Sequence, residues 1–492
     1  MEKKSRIKKG KGGMLTLADE IQRHAKAAAR DAVVRDVVRV VLDVMVERGV
    51  DLSDAIREVL AARGGGKKEM LLEVIGSEVE RVSGGCLVVP HYNPELKTRQ
   101  EVYLYVGTHW KRLDNAQFFE FVKRCCQRMG VPAEKVNYHS FMQDVFCSVL
   151  LRLAHCWKPP VRPEGVAWMN LRNGTLEVDA SGVPRLREHR KEDYMLNCLP
   201  FDYDPEADCP RWMAFLDRVL PDVERQRVVQ QYVANALMGG PVRIDKMLIL
   251  KGSGSNGKSV VLSSLGELAG RENVSNIPLN TLTNEPFMLP EFEHKLLNIS
   301  SESESRWGVA VMKQLTSHEP VVVRPMYKEP HTMTEYGYLI AAVNELPRAE
   351  ATDAFFRRLE IVSFDTVITP QEADPDLAHK LKQQLPGILN WFLAGLPDLI
   401  ERKRLPECQA CEEELLNYRT DTDYVYLFCQ ECCQSTDKWV LGNQLYSRFV
   451  TFCEDYGLKS CMPAQRFYGK LNNMHVKRAK KHNQWAFQLA LL

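Results

Sequence analysis

The run GSGSNGKS, Gly252 to Ser259, holds two chemistries in one stretch. Gly252, Gly254 and Gly257 satisfy G-x-G-x-x-G, the spacing with which a backbone approaches a dinucleotide pyrophosphate. Gly252, Gly257, Lys258 and Ser259 also satisfy G-x-x-x-x-G-K-[ST], the cradle of a nucleoside triphosphate. The neighbouring residues decide between them. KMLILKG, before the glycines, has the composition of a short buried strand, and KSVVLSSLGELAG, after them, carries Val261, Leu265 and Leu268 on one helical face until Gly270 stops it. A dinucleotide site also needs an acid about 20 residues on, at the end of the second strand, to hold a ribose hydroxyl. Glu272 is near that distance but precedes the next strand, NVSNI, and so stands at the wrong edge of a sheet. The triphosphate reading uses every residue. Gly252, Ser253, Gly254, Ser255, Asn256 and Gly257 offer backbone N–H groups to phosphates, Lys258 reaches the β and γ oxygens, and Ser259 ligates Mg²⁺. ATP and Mg²⁺ are the expected ligands.

Three further runs would complete a hydrolytic site. HKLLNISSESES reads as a strand ending in acids about 45 residues after the lysine, where a carboxylate would polarise the attacking water or hold the metal's hydration shell. Glu302 is the choice and Glu304 the reserve; solvated acids at a helix start are the plainer alternative. YLIAAVNELP delivers Asn344 to the same sheet edge, where its amide could orient water beside the γ-phosphate; a turn-forming Asn before Pro347 is the structural alternative. DAFFRRLEIVSF sets Arg357 and Arg358 at the head of another strand, badly placed for their own phosphates. They read as an arginine finger serving a neighbouring subunit, which demands a ring.

A chain of 492 residues, 45% hydrophobic and 26% charged, suggests roughly three globular domains to carry these residues. No apolar run approaches the ~18 residues of a membrane span, and no apolar stretch follows the basic N-terminus MEKKSRIKKGKGG, so a cytoplasmic protein is expected. Net charge is +1, so any grip on nucleic acid must come from local basic patches. The 14 cysteines are scattered as in a reducing compartment.

Composition and periodicity divide the chain into a disordered basic tail (1–13), an N-terminal helical segment and linker (14–68), an α+β domain (69–205), a helical collar (206–243), an ATPase domain (244–370), a helical connection (371–405) and a C-terminal domain (406–492). The pattern from Leu15 to Ala62 is helical, with Asp31, Arg35, Arg39, Asp43 and Glu47 on one stripe. WMNLRNGTLEVD reads as a hairpin on an Asn-Gly turn.

The ordered set GSGSNGKS, KLLNISSE, KQLTSHEPVVVRPMYKEPHTM, LIAAVNELP and FFRRLEIVSF resembles the helicase core of the phage and plasmid primase-helicase family, superfamily 3 AAA+ helicases related to poxvirus helicase-primases. NLRNGTLEV, LPFDYDPEADCPRW and YVYLFCQECC…VLGNQLYSRFVTFCEDYG resemble that family's flanking segments, extending the likeness over about residues 100–492. The resemblance implies an α/β AAA+ core with a parallel three-layer sheet and a C-terminal winged helix. It implies Lys258 and Ser259 for ATP and Mg²⁺, Glu302 as the second acid of the Walker B motif, Asn344 as sensor and Arg357 or Arg358 as the finger in trans. Ser301 stands where the motif often has a first acid, so metal ligation leans on Ser259 and water. The segment before Asn344 would form a pore hairpin with Lys328 at its tip and Arg324, Tyr327 and His331 around it; composition alone would allow a plain exposed turn.

In the last domain, KRAKKH offers Lys477, Arg478, Lys480 and Lys481 as a basic wing for phosphates, with a solvated basic turn as the alternative. Cys408-x-x-Cys411, seventeen residues, then Cys429-x-x-Cys432 has a zinc-site spacing, but both pairs fall in helical patterns and read better as buried thiols. No paired carboxylates before residue 200 suggest a primase, which leaves room for a separate primase as partner. The expected protein is an ATP-dependent DNA helicase, a homo-hexamer translocating on single-stranded DNA to open duplex. A nucleotide-switched origin-binding initiator is the alternative.

Overall fold

The computed structural model describes residues 37–62, 66–90, 100–156, 158, 165–301, 307–326, 330–347, 352–456, 462–481 and 484–492. These fall into two compact units, one within 1–164, 170–176 and 186–198, the other within 165–169, 177–185 and 199–492. The basic tail, Asp31, Arg35, Glu302, Glu304, Tyr327 and Lys328 lie outside the described residues.

In the first unit, strands β1 (Leu87–Val88), β2 (Val102–Tyr105) and β3 (Trp110–Leu113) form an antiparallel sheet in that order. Helices Lys67–Ser83, Asn115–Arg128 and His139–Cys156 share one core with this sheet, in which Val79, Leu104, Phe118, Val122 and Phe146 are buried. Asp114 starts the second of these helices with a reciprocal cap: its carboxylate accepts from Gln117 N while the Gln117 side chain accepts from Asp114 N. The pattern read as helical up to Ala62 is two helices where described, Val37–Glu47 and Ser53–Ala61. The chain turns at Gly49, where a Cβ would lie 3.1 Å from the Arg128 side chain.

Strands β4 (Ala167–Leu171), β5 (Gly174–Val178) and β6 (Pro184–Arg187) make a second three-stranded sheet. The turn between β4 and β5 is Arg172–Asn173 rather than Asn173–Gly174. Gly174 belongs to the strand, and a Cβ on it would sit 2.4 Å from the Arg187 carbonyl oxygen.

The second unit is built on five strands, β7 (Met247–Lys251), β8 (Val274–Ser275), β9 (Leu297–Ser301), β12 (Tyr338–Val343) and β13 (Leu359–Ser363). They are parallel, in the order β13-β7-β12-β9-β8. MLIL and YLIAAV are continuous apolar runs because a parallel strand is buried on both faces. One face packs on Phe292, Met312, Leu315, Phe355 and Phe356. Helix Val223–Leu237 is pinned to the sheet by Tyr232, whose hydroxyl donates to Leu339 O at 2.8 Å. Helix Pro210–Val219 begins with Pro210 in its first turn and buries Trp212 against Trp391 and Phe392. Between β9 and β12, β10 (Val321–Val323) and β11 (His331–Met333) pair antiparallel.

The last segment adds β14 (Cys433–Leu441), β15 (Arg478–Lys481) and β16 (Gln484–Leu491), antiparallel in the order β14-β16-β15. Helices Tyr424–Cys432, Gly442–Asp455 and Ala464–Asn473 accompany this sheet around Phe428, Phe449, Phe467 and Phe487. The sequence boundary at residue 406 falls before helix Gln409–Thr422, whose Tyr418 is buried in the core of the central sheet. No helix among the described residues is long and apolar enough to cross a membrane.

Candidate functional site

The glycine-rich loop leaves β7 at the carboxyl edge of the parallel sheet, the edge at which open α/β sheets bind ligands. Gly252 N donates to Val343 O of the adjacent β12 at 3.1 Å. Three loop residues take left-handed backbone angles, Gly254 (φ 105°), Ser255 (φ 48°) and Gly257 (φ 83°), and helix Lys258–Ala269 starts directly after the last. Gly257 has a steric reason to be glycine, since a Cβ would meet Val219 Cγ1 at 2.7 Å. Ser255 is held in place by its carbonyl, which accepts from Ile368 N at 2.7 Å. The loop thus makes left-handed turns directly before a helix N-terminus, a geometry that can present backbone N–H groups to an anion.

Lys258 is buried, 6% exposed. Its ammonium donates to Gly252 O at 2.6 Å, to Asn256 Oδ1 at 3.0 Å and to Asn344 Oδ1 at 3.5 Å. Asn256 in turn donates to Phe364 O at 3.1 Å, tying the loop to the end of β13. Ser259, next to this lysine, is exposed in the first helical turn. Asn344 follows β12 and is exposed at the same edge. Ser301 ends β9 beside Ala342, so the chain leaves for Glu302 from that edge as well. The order β7-β12-β9 explains why Asn344 approaches the lysine: its strand lies between the loop strand and the acid strand.

Arg357 and Arg358 follow the single-turn helix Asp353–Phe356. Arg357 is exposed and has no side-chain partner among the described residues, whereas Arg358 donates to Ala354 O and Ser317 Oγ, both at 2.9 Å. On the β10–β11 hairpin Arg324 is exposed, and His331 Nε2 lies 2.9 Å from a carboxylate oxygen of Glu293. Val322 and Met326 on the same hairpin are 73% and 60% exposed.

In the last segment Lys477, Arg478, Lys480 and Lys481 are exposed along β15. Arg478 and Lys480 lie 4.7 and 5.7 Å over the Trp485 ring, and Lys481 lies 4.6 Å over Trp439. The two cysteine pairs are apart. Cys408 Sγ lies 2.7 Å from Cys411 Sγ, and the Cys429 thiol is hydrogen-bonded with that of Cys433 rather than Cys432, all of them free cysteines. Among the described residues no cluster of three or more His, Cys, Asp or Glu could hold a metal.

Sequence reasoning missed a cavity of about 500 Å³ beside the loop, lined by Phe215, Val219, Val260, Ile368 and Leu377 with Arg218 and Glu372. Glu372 accepts from Thr369 N and Oγ1 and pairs with Arg218 at 3.0 Å; the Thr369 amide first, then the guanidinium, holds its carboxyl at about 2. Its lining comes from segments about 150 residues apart in the chain, and only the amphipathic pattern of helix Pro210–Val219 hinted at it.

Fold and site define an α/β protein with a parallel five-stranded sheet and a glycine-rich loop opening a helix at its carboxyl edge. Residues 92–221 match the family model described as D5 N terminal like, and residues 420–488 match the one described as poxvirus D5 protein-like. D5-type segments thus lie on both sides of the sheet in the chain, and these matches support a phage and poxvirus-type primase-helicase family. Residues 250–358, which hold the loop and both arginines, match a family described as of unknown function, DUF5906. Among solved structures, the A-form apo structure of the NrS-1 C-terminal region is similar at 12% identity and TM-score 0.42, covering 80% of this chain and 94% of that one. A second apo structure of the NrS-1 C-terminal region is similar at 11% identity, also with TM-score 0.42.

Proposed function

We propose that the protein is a superfamily 3 helicase of AAA+ type, which hydrolyses ATP to move along one strand of DNA as a hexameric ring. The observation that carries this reading is the convergence of Lys258 and Asn344 on the glycine-rich loop. An ammonium with three donors, held near 3 Å from carbonyl and amide oxygens, is placed to exchange those acceptors for phosphate oxygens. Backbone N–H groups of residues 252–257 bind the phosphates, Lys258 the β and γ oxygens, and Asn344 orients the attacking water. Ser259 and Glu302 would hold Mg²⁺, which would supply charge neutralisation on the phosphates. The cavity lined by Phe215, Val219 and Val260 takes the nucleoside, an apolar base against apolar walls, and the Arg218–Glu372 pair closes one side.

Of the two arginines, Arg357 suits the finger in trans: Arg358 is engaged within its own chain, and Arg357 is exposed. The β10–β11 hairpin, with Arg324 on its exposed side and Lys328 beyond, would be the element that follows DNA in the pore, and the winged-helix C-terminal segment would add a basic strand for phosphates. Separating duplex costs about 1.4 kcal/mol per base-pair step, so unwinding needs the nucleotide cycle.

The test is ATP hydrolysis by purified protein with and without single-stranded DNA, beside Lys258→Ala, with sizing in ATP. DNA-stimulated turnover that vanishes in the variant, from a ring-sized species, is the expected result. Turnover indifferent to both DNA and Lys258 would remove the helicase reading. DNA binding and ATP-driven assembly without strand release from a tailed duplex would favour an origin-binding initiator.

A further inference from the structure

Helix Gln409–Thr422 touches the candidate site at three places. Glu414 pairs with Lys251, the residue before Gly252. Tyr418 donates its hydroxyl to Pro347 O, three residues after Asn344, and sets its ring edge-on to Phe355 and Phe356 at 6.3 and 5.6 Å. Arg419 forms an ion pair with Asp353, the first residue of the turn that carries Arg357. Its guanidinium also lies 5.7 Å from the Phe356 ring centroid and 3.8 Å from that of Tyr426, which belongs to the next helix.

The Asp353–Phe356 turn cannot hold itself. Four residues make barely one helical turn, and helices so short are unstable without tertiary anchors. Its own fastening is the Thr352 hydroxyl, which accepts from Phe355 N at 3.2 Å. Phe355 and Phe356 sit in the core with Met312 and Leu315, and Arg358 donates back to Ala354 O. Helix Gln409–Thr422 adds the anchors at the Asp353 end and on the outer ring: Arg419 on Asp353, and Tyr418 and Arg419 on the phenylalanines. Arg357 N donates to Asp353 O at 3.1 Å, so the arginine backbone follows wherever Asp353 is held.

We propose that Arg419 is a positioning residue for Arg357: it clamps Asp353 and Phe356 on one side and Tyr426 on the other, fixing where Arg357 meets a neighbouring subunit. The proposal rests on the ATPase reading above. It ties the C-terminal segment to the arginine as well, because Asp423 caps helix Tyr424–Cys432 and binds Lys470 at 2.8 Å one turn beyond Arg419. A shift of that segment is therefore felt at Tyr426 and passed through one guanidinium to the Arg357 turn.

The experiment mixes variants. Arg419→Ala is expected to lose about a hundredfold in turnover with ATP binding kept, the scale on which misplacement by about 1 Å acts. Asp353→Asn should copy it, and Arg419→Lys, which keeps the charge without the planar stack, should fall between. Mixed 1:1 with inactive Lys258→Ala, Arg419→Ala should regain activity, because an intact nucleotide site on one chain then meets an intact Arg357 on the other. Random mixing in a ring with head-to-tail interfaces makes about one interface in four of this kind, so recovery up to about a quarter of wild type is expected. No recovery from a folded Arg419→Ala or Asp353→Asn chain means that the residues act within their own subunit and overturns the proposal. A fully active Arg419→Ala beside an inactive Lys258→Ala overturns it alone. Equal turnover in wild type and Lys258→Ala overturns the ATPase reading, and this proposal with it.

Discussion

Arg357 and Arg358 are sequence neighbours with opposite engagements, and substitution should separate them. Arg358→Ala leaves Ser317 Oγ and Ala354 O without their donor and should cost about 1–3 kcal/mol in denaturant unfolding, with or without nucleotide. Arg357→Ala removes no bond among the described residues, so stability should hold while turnover falls by roughly 10³ to 10⁵, the range of an arginine finger. Equal unfolding midpoints for both variants would contradict this division. His318 gives a pH signature. Its ring lies 4.5 Å from Tyr338 and 5.5 Å from Tyr336, and burial holds its pKa below the ordinary histidine value, with Asp245 raising and Arg243 lowering it further. A depressed folded pKa means that the unfolded chain takes up the proton first. The contribution is thus complete above about pH 6.5 and is lost as pH falls below it. His318 has φ 49°, a backbone angle that asparagine tolerates. The melting temperature of wild type should drop more steeply between pH 7 and 5.5 than that of His318→Asn; parallel slopes would count against a buried neutral imidazole.

Among the elements, helix Val223–Leu237 shows how a polar group inside the core sets a position. Tyr232 is fully buried and its hydroxyl donates to Leu339 O and lies 3.2 Å from Lys246 O, so the helix is tied to the strand before Asn344 and to the entry of β7. Tyr232→Phe should cost about 1–2 kcal/mol and leave Km for ATP unchanged, measured by urea unfolding and steady-state hydrolysis. A rise in Km without loss of stability would show that the bond serves the site instead. At this scale the sequence is unevenly legible. MLIL, LLNIS, YLIAAV and LEIVS are readable as strands because sheets buried on both faces leave no polar alternation. Their lateral order is not readable, since apolar runs of similar length carry no address, and it is that order that puts Asn344 beside Lys258. Helix Gln409–Thr422 buries only Cys411 and Tyr418. With so little amphipathic signal, its landing on the central sheet rather than in the C-terminal domain is invisible in QACEEELLNYRTDT. The cavity beside the loop is hidden for a related reason: its walls are ordinary core residues until folding gathers them.

For the whole molecule, a net charge of +1 means that no general field draws in nucleic acid, so DNA must be met by local surfaces. The strand Arg478–Lys481 is the strongest such surface in the last segment, and its cations lie over Trp485 and Trp439, which limits their freedom before any phosphate arrives. Pre-ordering of this kind lowers the side-chain entropy lost on binding. On the helicase reading, replacing Lys477, Arg478, Lys480 and Lys481 together by Ala should weaken single-stranded DNA binding at low salt. It should also flatten the dependence of log K on log salt by about 0.7 for each phosphate that is no longer neutralised. ATP hydrolysis without DNA should be unchanged, because the strand lies far along the chain from the loop and shares no bond with it among the described residues. DNA stimulation should then need more DNA to reach the same plateau, since the pore hairpin is intact and only the supplementary grip is gone. If instead the plateau itself collapses while the salt slope stays at its wild-type value, the basic strand acts in coupling rather than in binding phosphates, and the wing would have to be read as part of the motor.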